Sequence, residues 1–296
     1  MAQAIVERPS VKRARRRQAM IGFLFVLPML IFFVVFRVIP IVGSVAMSFV
    51  DYRLSGIRGF KGIENYQRLM GDSVFWRSLG TTLLYALMYV PLVMLIALGS
   101  ALLLDNIKGR GEGLARGALF LPYVTSFVLA GFIWKWMLSP EGLVNGLLDK
   151  EIPFLIGDQW LVLLSLVVVA VWKGFGYSML ILLAGLKGIP TEITEAAMVD
   201  GASPRRRFFQ IKLPMLKPVI FFVVIIETIA AFQAFDTIYV MTGGGPARAS
   251  YTIVYMLYDT GFKYFDFGYA STIGIAVFLV ILAISIVQRK FLEEEK

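Results

Sequence analysis

Long apolar blocks alternate with short polar and basic segments along the whole chain. The blocks run approximately over residues 21–45, 82–104, 117–138, 161–186, 219–240 and 269–287. Each approaches or exceeds the roughly 20 apolar residues a helix needs to cross a hydrocarbon layer about 30 Å thick. A helix on a water-soluble core needs only an apolar stripe, whereas these blocks are apolar on every side. The pattern predicts an all-α, polytopic membrane protein with six transmembrane helices, forming one integrated domain over residues 21–290. A basic segment, 1–20, precedes it and a short tail, 291–296, follows. Pro28, Pro40 and Pro91 fall within or near the ends of blocks, which membrane helices tolerate when neighbours satisfy the freed carbonyls.

Composition strengthens this reading. Of 296 residues, 58% are hydrophobic and 17% charged, against about 25% charged in soluble domains. The first block follows Lys12-Arg13-Ala14-Arg15-Arg16-Arg17, as a signal peptide would. It exceeds the roughly 7–15 residues of a signal core and no small-x-small site ends it, so an uncleaved first helix is expected. The chain has no Cys and no His. That removes thiol nucleophiles, disulfides, His-ligated metals and imidazole acid–base chemistry.

Charge sets an expected orientation. With both termini in the cytoplasm, that side carries the N-terminal cluster, Lys108, Arg110, Arg116, Lys187, Arg205, Arg206, Arg207, Lys212, Lys217, Arg289 and Lys290. The other side keeps Arg53, Arg77, Lys150 and Lys263, mostly beside acids. This is a clear positive-inside bias. It also accounts for the net charge of +9 without nucleic acid.

The segment 190–214 then becomes a cytoplasmic loop. Thr191 is the expected cap of a short helix, with Glu192 and Glu195 near its positive end. Gly201 ends that helix in the left-handed conformation. Ser203-Pro204 starts a second one, and Leu213-Pro214 is expected to stop it before the next crossing. From these residues alone, the loop is either a projecting knob or a pair of amphipathic helices lying on lipid.

Polar groups inside crossings are costly and usually face a bundle interior or cavity. Glu227 and Lys173 are the clearest. On a continuous helix Glu227 shares a stripe with Ala230, Ala231 and Ala234, and Gln233 and Thr237 form a second stripe beside Asp236. Trp172, Tyr177 or Phe232 offers an apolar stacking face. The tentative substrate path is therefore Gln233, Asp236, Glu227, Trp172, Lys173 and Tyr177. Lys173 pairing with Glu227 is the structural alternative, and Arg37 and Lys135 are placed to snorkel.

Glu195-Ala196-Ala197, three residues, Gly201, nine residues and Ile211-x-Leu213-Pro214 together resemble the EAA motif of prokaryotic ABC importer permeases. Asn65-Tyr66, Leu121-Pro122-Tyr123, Ile133-Trp134-Lys135-Trp136, Val171-Trp172-Lys173, Leu183-Ala184-Gly185-Leu186 and the run Phe235–Pro246 resemble the carbohydrate-type branch. That branch takes up sugars, oligosaccharides and glycerol phosphates. The resemblance implies a type I importer permease fold and a cytosolic ATPase docked at Glu195, Ala196, Ala197, Asp200 and Gly201. It also implies two ATPase subunits, a second unlike permease, an extracytoplasmic solute-binding protein, and ATP and Mg on the ATPase rather than on this chain. The Gly243–Gly245 run lacks the Lys-Ser/Thr of a phosphate loop. It is expected to be a flexible turn, with contact to the binding protein left open. A secondary transporter or channel has no need for such a loop. An intramembrane enzyme lacks a Ser–Lys or paired-Asp constellation at suitable depth.

Overall fold

The structure, a computed structural model, describes residues 9–107 and 109–293. Lys108, residues 1–8 and residues 294–296, parts of the expected cytoplasmic segments, lie outside the described residues.

The first crossing is a continuous helical run in three parts: α1 (Pro9–Phe33), a π turn (Val34–Val38) and α2 (Ile39–Ser48). Helix therefore begins within the expected 1–20 segment rather than at residue 21. Pro40 lies at the start of α2, where its missing N–H removes no needed donor. The run has no buried residue in its most apolar stretch and packs on the bundle through α2, chiefly against the last helix, with Ser48 also bonded to Asn65 and Tyr66. A two-stranded hairpin follows, β1 (Val50–Arg53) and β2 (Gly56–Phe60), antiparallel with Val50 opposite Phe60. Next come α3 (Glu64–Gly71) and the second crossing, α4 (Ser73–Asp105), whose start is capped by the Asp72 carboxylate accepting from the Val74 N–H at 2.8 Å.

The third crossing departs from the expected single helix. It is α5 (Arg110–Val124) and α6 (Phe127–Met137), bent by 90° between them. Pro122 lies in the last turn of α5, and neither Thr125 nor Ser126 is helical. After α7 (Leu143–Leu148), α8 (Gln159–Lys187) forms the fourth crossing and shares the most extensive helix interface of the molecule with α4. Glycine permits some close approaches there. A Cβ on Gly174 would lie 2.7 Å from the Tyr89 hydroxyl, and one on Gly176 would lie 2.7 Å from the Leu119 carbonyl of α5.

The loop 190–214 contains α9 (Thr191–Val199) and α10 (Pro204–Arg207), then a π turn (Phe208–Lys212) leading into α11 (Leu213–Phe232). Leu213-Pro214 does not stop the helix. Pro214 directly follows the π turn, whose widened backbone accommodates a residue with no N–H to donate, so the chain runs on helically from Pro204 to Phe232. The fifth crossing breaks at Gln233, Ala234 and Phe235 before α12 (Asp236–Met241). Then α13 (Ile253–Tyr258), a π turn (Asp259–Lys263) and α14 (Phe267–Glu293) complete the chain. Among the described residues, five helices are long and apolar enough to cross a membrane, or six when the bent α5–α6 pair counts as one.

One buried cluster lies between α4, α8 and α11, including Val93, Ala97, Leu166, Met179, Leu216 and Val223. Polar contacts close the bundle at the hairpin end. Arg68 reaches Asp266 at 2.8 Å and stacks over Tyr269, whose hydroxyl donates to Asp72 at 2.7 Å. Arg53 also reaches Asp266, at 3.4 Å, and its guanidinium pKa is raised by the Asp51 hydrogen bond and the Asp266 charge.

Candidate functional site: the 191–214 loop and the break-lined path

In the loop, Gly201 has φ +76°, the left-handed conformation expected of it. Ser203 caps α10, its hydroxyl accepting from the Arg206 N–H at 3.3 Å, and Pro204 occupies the first turn. Thr191 differs from expectation. It is already helical, Pro190 precedes it as the cap position, and no side-chain cap bond forms. The Pro190 ring sets the chain direction without one. Glu195, Ala196, Asp200 and Gly201 are exposed and Ala197 half-buried, so the stretch that ends α9 is open along its length. Beside them Val199 is 88% exposed, with Met198 and Ile193 also open. These apolar groups belong to no motif in the sequence. Their place between the acidic first turn and Gly201 was the available signal.

The loop is braced at its root. Lys212 Nζ donates to Asp105 at the end of α4 at 2.9 Å, and Lys187 pairs with Glu112. Neither pairing was foreseen, because sequence separations of this size carry no periodic signal.

The residues of the tentative path separate into two environments. Glu227 is 4% exposed. Its carboxylate accepts from the Tyr89 hydroxyl at 2.8 Å and from the Ser178 hydroxyl, so it joins α11 to α4 and α8. Buried carboxylates require such donors. Lys173 is 2% exposed and does not pair with Glu227. It donates to the Tyr123 carbonyl at 2.7 Å and lies 4.2 Å from the centre of the Phe127 ring. One ammonium therefore touches both sides of the α5–α6 bend. It satisfies a carbonyl at the negative end of α5 and faces an aromatic π cloud on α6.

Gln233 and Asp236 are exposed. The break at 233–235 places Gln233 at the C-terminal cap of α11 and Asp236 at the start of α12. The expected continuous stripe of Gln233 and Thr237 is therefore absent, because helical spacing does not carry across non-helical residues. Trp172 and Tyr177 are each partly open. Tyr177 stacks on Tyr123 with ring centres 5.1 Å apart, and Trp172 meets Trp134 edge-on at 5.5 Å. Tyr123, Phe127 and Trp134, missed individually, complete an aromatic wall along the bend. The aromatic spacing of Leu121-Pro122-Tyr123 and Ile133-Trp134 was the signal.

The Gly243–Gly245 run forms a turn, but a closely packed one. Gly244 has φ +79°, and a Cβ there would lie 2.9 Å from Tyr251. Ser250 Oγ donates to the Gly245 carbonyl at 2.8 Å, and Thr252 and Ser250 are buried. Burial and a 3.0 Å hydrogen bond to Asp259 raise the Tyr251 phenol pKa above its ordinary value.

Residues 68–293 match the family model described as binding-protein-dependent transport system inner membrane component. The chain is 35% identical over 284 residues to the lactose transport system permease protein LacF of Rhizobium radiobacter, covering 93% of this chain and 95% of that one. It is 32% identical over 282 residues to the sn-glycerol-3-phosphate transport system permease protein UgpA of Agrobacterium fabrum, covering 92% and 94%. Among solved structures, a chain of a bacterial alginate ABC transporter in complex with its alginate pentasaccharide-bound periplasmic protein superposes with a TM-score of 0.78. The two are 23% identical, with 94% of each chain covered.

Proposed function

Since the chain belongs to the binding-protein-dependent transport system inner membrane component family, and is an importer permease of the carbohydrate type, we propose that a separate ATPase drives it through the 191–214 loop. The solute is a sugar, oligosaccharide or glycerol-phosphate-type molecule, moved inward by alternating access. The observation that carries this reading is the geometry of the loop. An uncapped α9, the left-handed Gly201 and the Ser203-capped α10 leave the stretch from Glu195 through Ala196, Ala197 and Asp200 to Gly201 open at the end of α9. Ala and Gly permit close approach by a partner, and Glu195 offers it a charge.

The loop is cytoplasmic in this reading, as are both termini. Support comes from the basic residues at the loop end, Arg13, Arg15, Arg16, Arg17, Arg205, Arg206, Arg207 and Lys212, against the acid-paired Arg53 and Arg68 at the hairpin end. ATP and Mg bind the ATPase, of which two copies serve the complex. A second, unlike permease supplies the other half of the path, and the exposed apolar surface of the first crossing faces lipid or that subunit. A periplasmic or lipid-anchored binding protein delivers solute at the hairpin end. The lactose and glycerol-phosphate relatives support this solute class, and the alginate transporter's complex with its periplasmic protein supports a binding-protein partner.

Within the chain, Gln233 and Asp236 are the groups placed to meet solute hydroxyls. Their side chains are open, and the non-helical backbone at 233–235 finds partners in Ile229, Ala231, Tyr239 and Thr252, as membranes require of broken helices inside protein or beside a cavity. Trp172 and Tyr177 add apolar faces. Glu227 and Lys173 hold the helices that shape the path and do not touch solute.

The test is expression with the neighbouring reading frames, followed by reconstitution in vesicles. ATP- and binding-protein-dependent uptake of lactose, maltose or glycerol 3-phosphate supports the reading. ATPase retention should be lost in Glu195→Lys. Uptake by this chain alone, without ATP, contradicts the reading and favours a secondary transporter.

A further inference from the structure

The loop that takes the drive is poorly packed against the crossings it must move. No residue of α9 or α10 is buried, and neither helix packs extensively on a crossing. A polar pocket of about 250 Å³ lies beneath them, lined by Leu102, Asp105, Thr194, Arg207, Phe208 and Lys212. Between α10 and α11 the backbone passes through the Phe208–Lys212 π turn. Such a widened turn is a weaker link than α-helix and is a common place for a helix to yield.

A push on α10 reaches the crossings through that turn, and what the far end of the turn is attached to decides which helices move with it. Lys212, the last residue of the turn, reaches Asp105 at 2.9 Å, and both side chains are substantially shielded from water. Asp105 is the last residue of α4. That helix shares its longest interface with α8 and is joined to α11 through Tyr89 and Glu227. The pair thus ties the far end of the π turn to α4, so displacement that leaves the turn enters α4 directly as well as α11.

We propose that the Lys212–Asp105 ion pair is a positioning link for transport: it transmits displacement of the 191–214 loop into α4, so that α4, α8 and α11 move with the loop. This rests on the loop being the point of drive. Neither residue touches solute or ATP. Without the pair, ATP hydrolysis on the partner proceeds, but displacement enters α11 alone and α4 follows it less for each ATP. A salt bridge that is only a stabilising contact would change complex yield but not the movement obtained per ATP.

The experiment uses the assembled complex. The chain has no Cys, so Tyr239→Cys, exposed on α12 beside the break, gives this chain a single reporter, read by its rate of reaction with a membrane-impermeant maleimide. Wild-type complex should show an ATP-dependent change in that rate. Asp105→Asn and Lys212→Gln should each assemble and hydrolyse ATP, with the change per ATP reduced about fivefold. The exchanged double variant Asp105→Lys/Lys212→Asp should recover most of it. Full coupling in both single variants, or no recovery in an exchanged variant that assembles, overturns the proposal. If the single variants fail to assemble, the exchanged variant decides alone. A wild-type chain that retains no ATPase defeats the reading beneath the proposal, and that result is distinct from a failed link.

Discussion

The Tyr89 hydroxyl donates a 2.8 Å hydrogen bond to Glu227, across the interface between the second and fifth crossings. With Ser178 donating from the fourth crossing, the carboxylate becomes a three-helix junction. Intramembrane carboxylates usually raise the question of transport, yet this one has its oxygens occupied and is shielded on all sides.

Removing one donor should therefore loosen the bundle without altering solute recognition. Tyr89→Phe should destabilise the complex by about 1 kcal/mol, the scale of interhelical hydrogen bonds in membranes, read as a lower midpoint of thermal unfolding. The half-saturation of uptake should stay at the wild-type value.

Lys173 holds the bend in the third crossing from both sides. Lys173→Met keeps the length and apolar stem of the side chain but loses the bond to the Tyr123 carbonyl and the contact with Phe127. Spin labels on cysteines at Gly113 and Phe132, flanking the bend, should give a narrow distance distribution in the parent and a broader one in the variant.

Gly201 is left-handed, which costs other L-residues roughly 1–2 kcal/mol and most for branched ones. Gly201→Val should lower ATPase retention during purification, and Gly201→Asn should lower it less. Open space around the Gly201 Cβ position means that the effect comes from the backbone and not from a clash inside this chain.

Gln233→Ala should raise the solute concentration for half-maximal uptake several-fold and leave ATPase retention intact. Asp236→Asn should act in the same direction. Unchanged affinity in both would remove the break at 233–235 from the solute path.

Much of this was legible in the residues because hydrophobic length and local caps are short-range signals. The blocks at 82–104, 161–186 and 269–287 lie inside α4, α8 and α14, and Gly201 and Ser203-Pro204 adopt the conformations their chemistry dictates. What was hidden depends on tertiary partners. Pro122 reads the same whether its helix continues or bends by 90°, and the bend is fixed by Lys173, fifty residues away. Pro214 reads as a stop, but it fits equally well in the first turn of a helix that continues a π turn. The closed surroundings of Glu227 follow from Tyr89 and Ser178, whose approach no periodicity reveals.

The account turns on contact between the 191–214 loop and an ATPase, and a single cysteine tests that contact directly. Ala197→Cys in this cysteine-free chain, co-expressed with the adjacent ATPase and treated with a short bifunctional thiol-to-amine reagent, should give one crosslinked band containing both proteins. Ser55→Cys in the hairpin should give none. An ATPase crosslink from position 55 and not from position 197 would contradict the account.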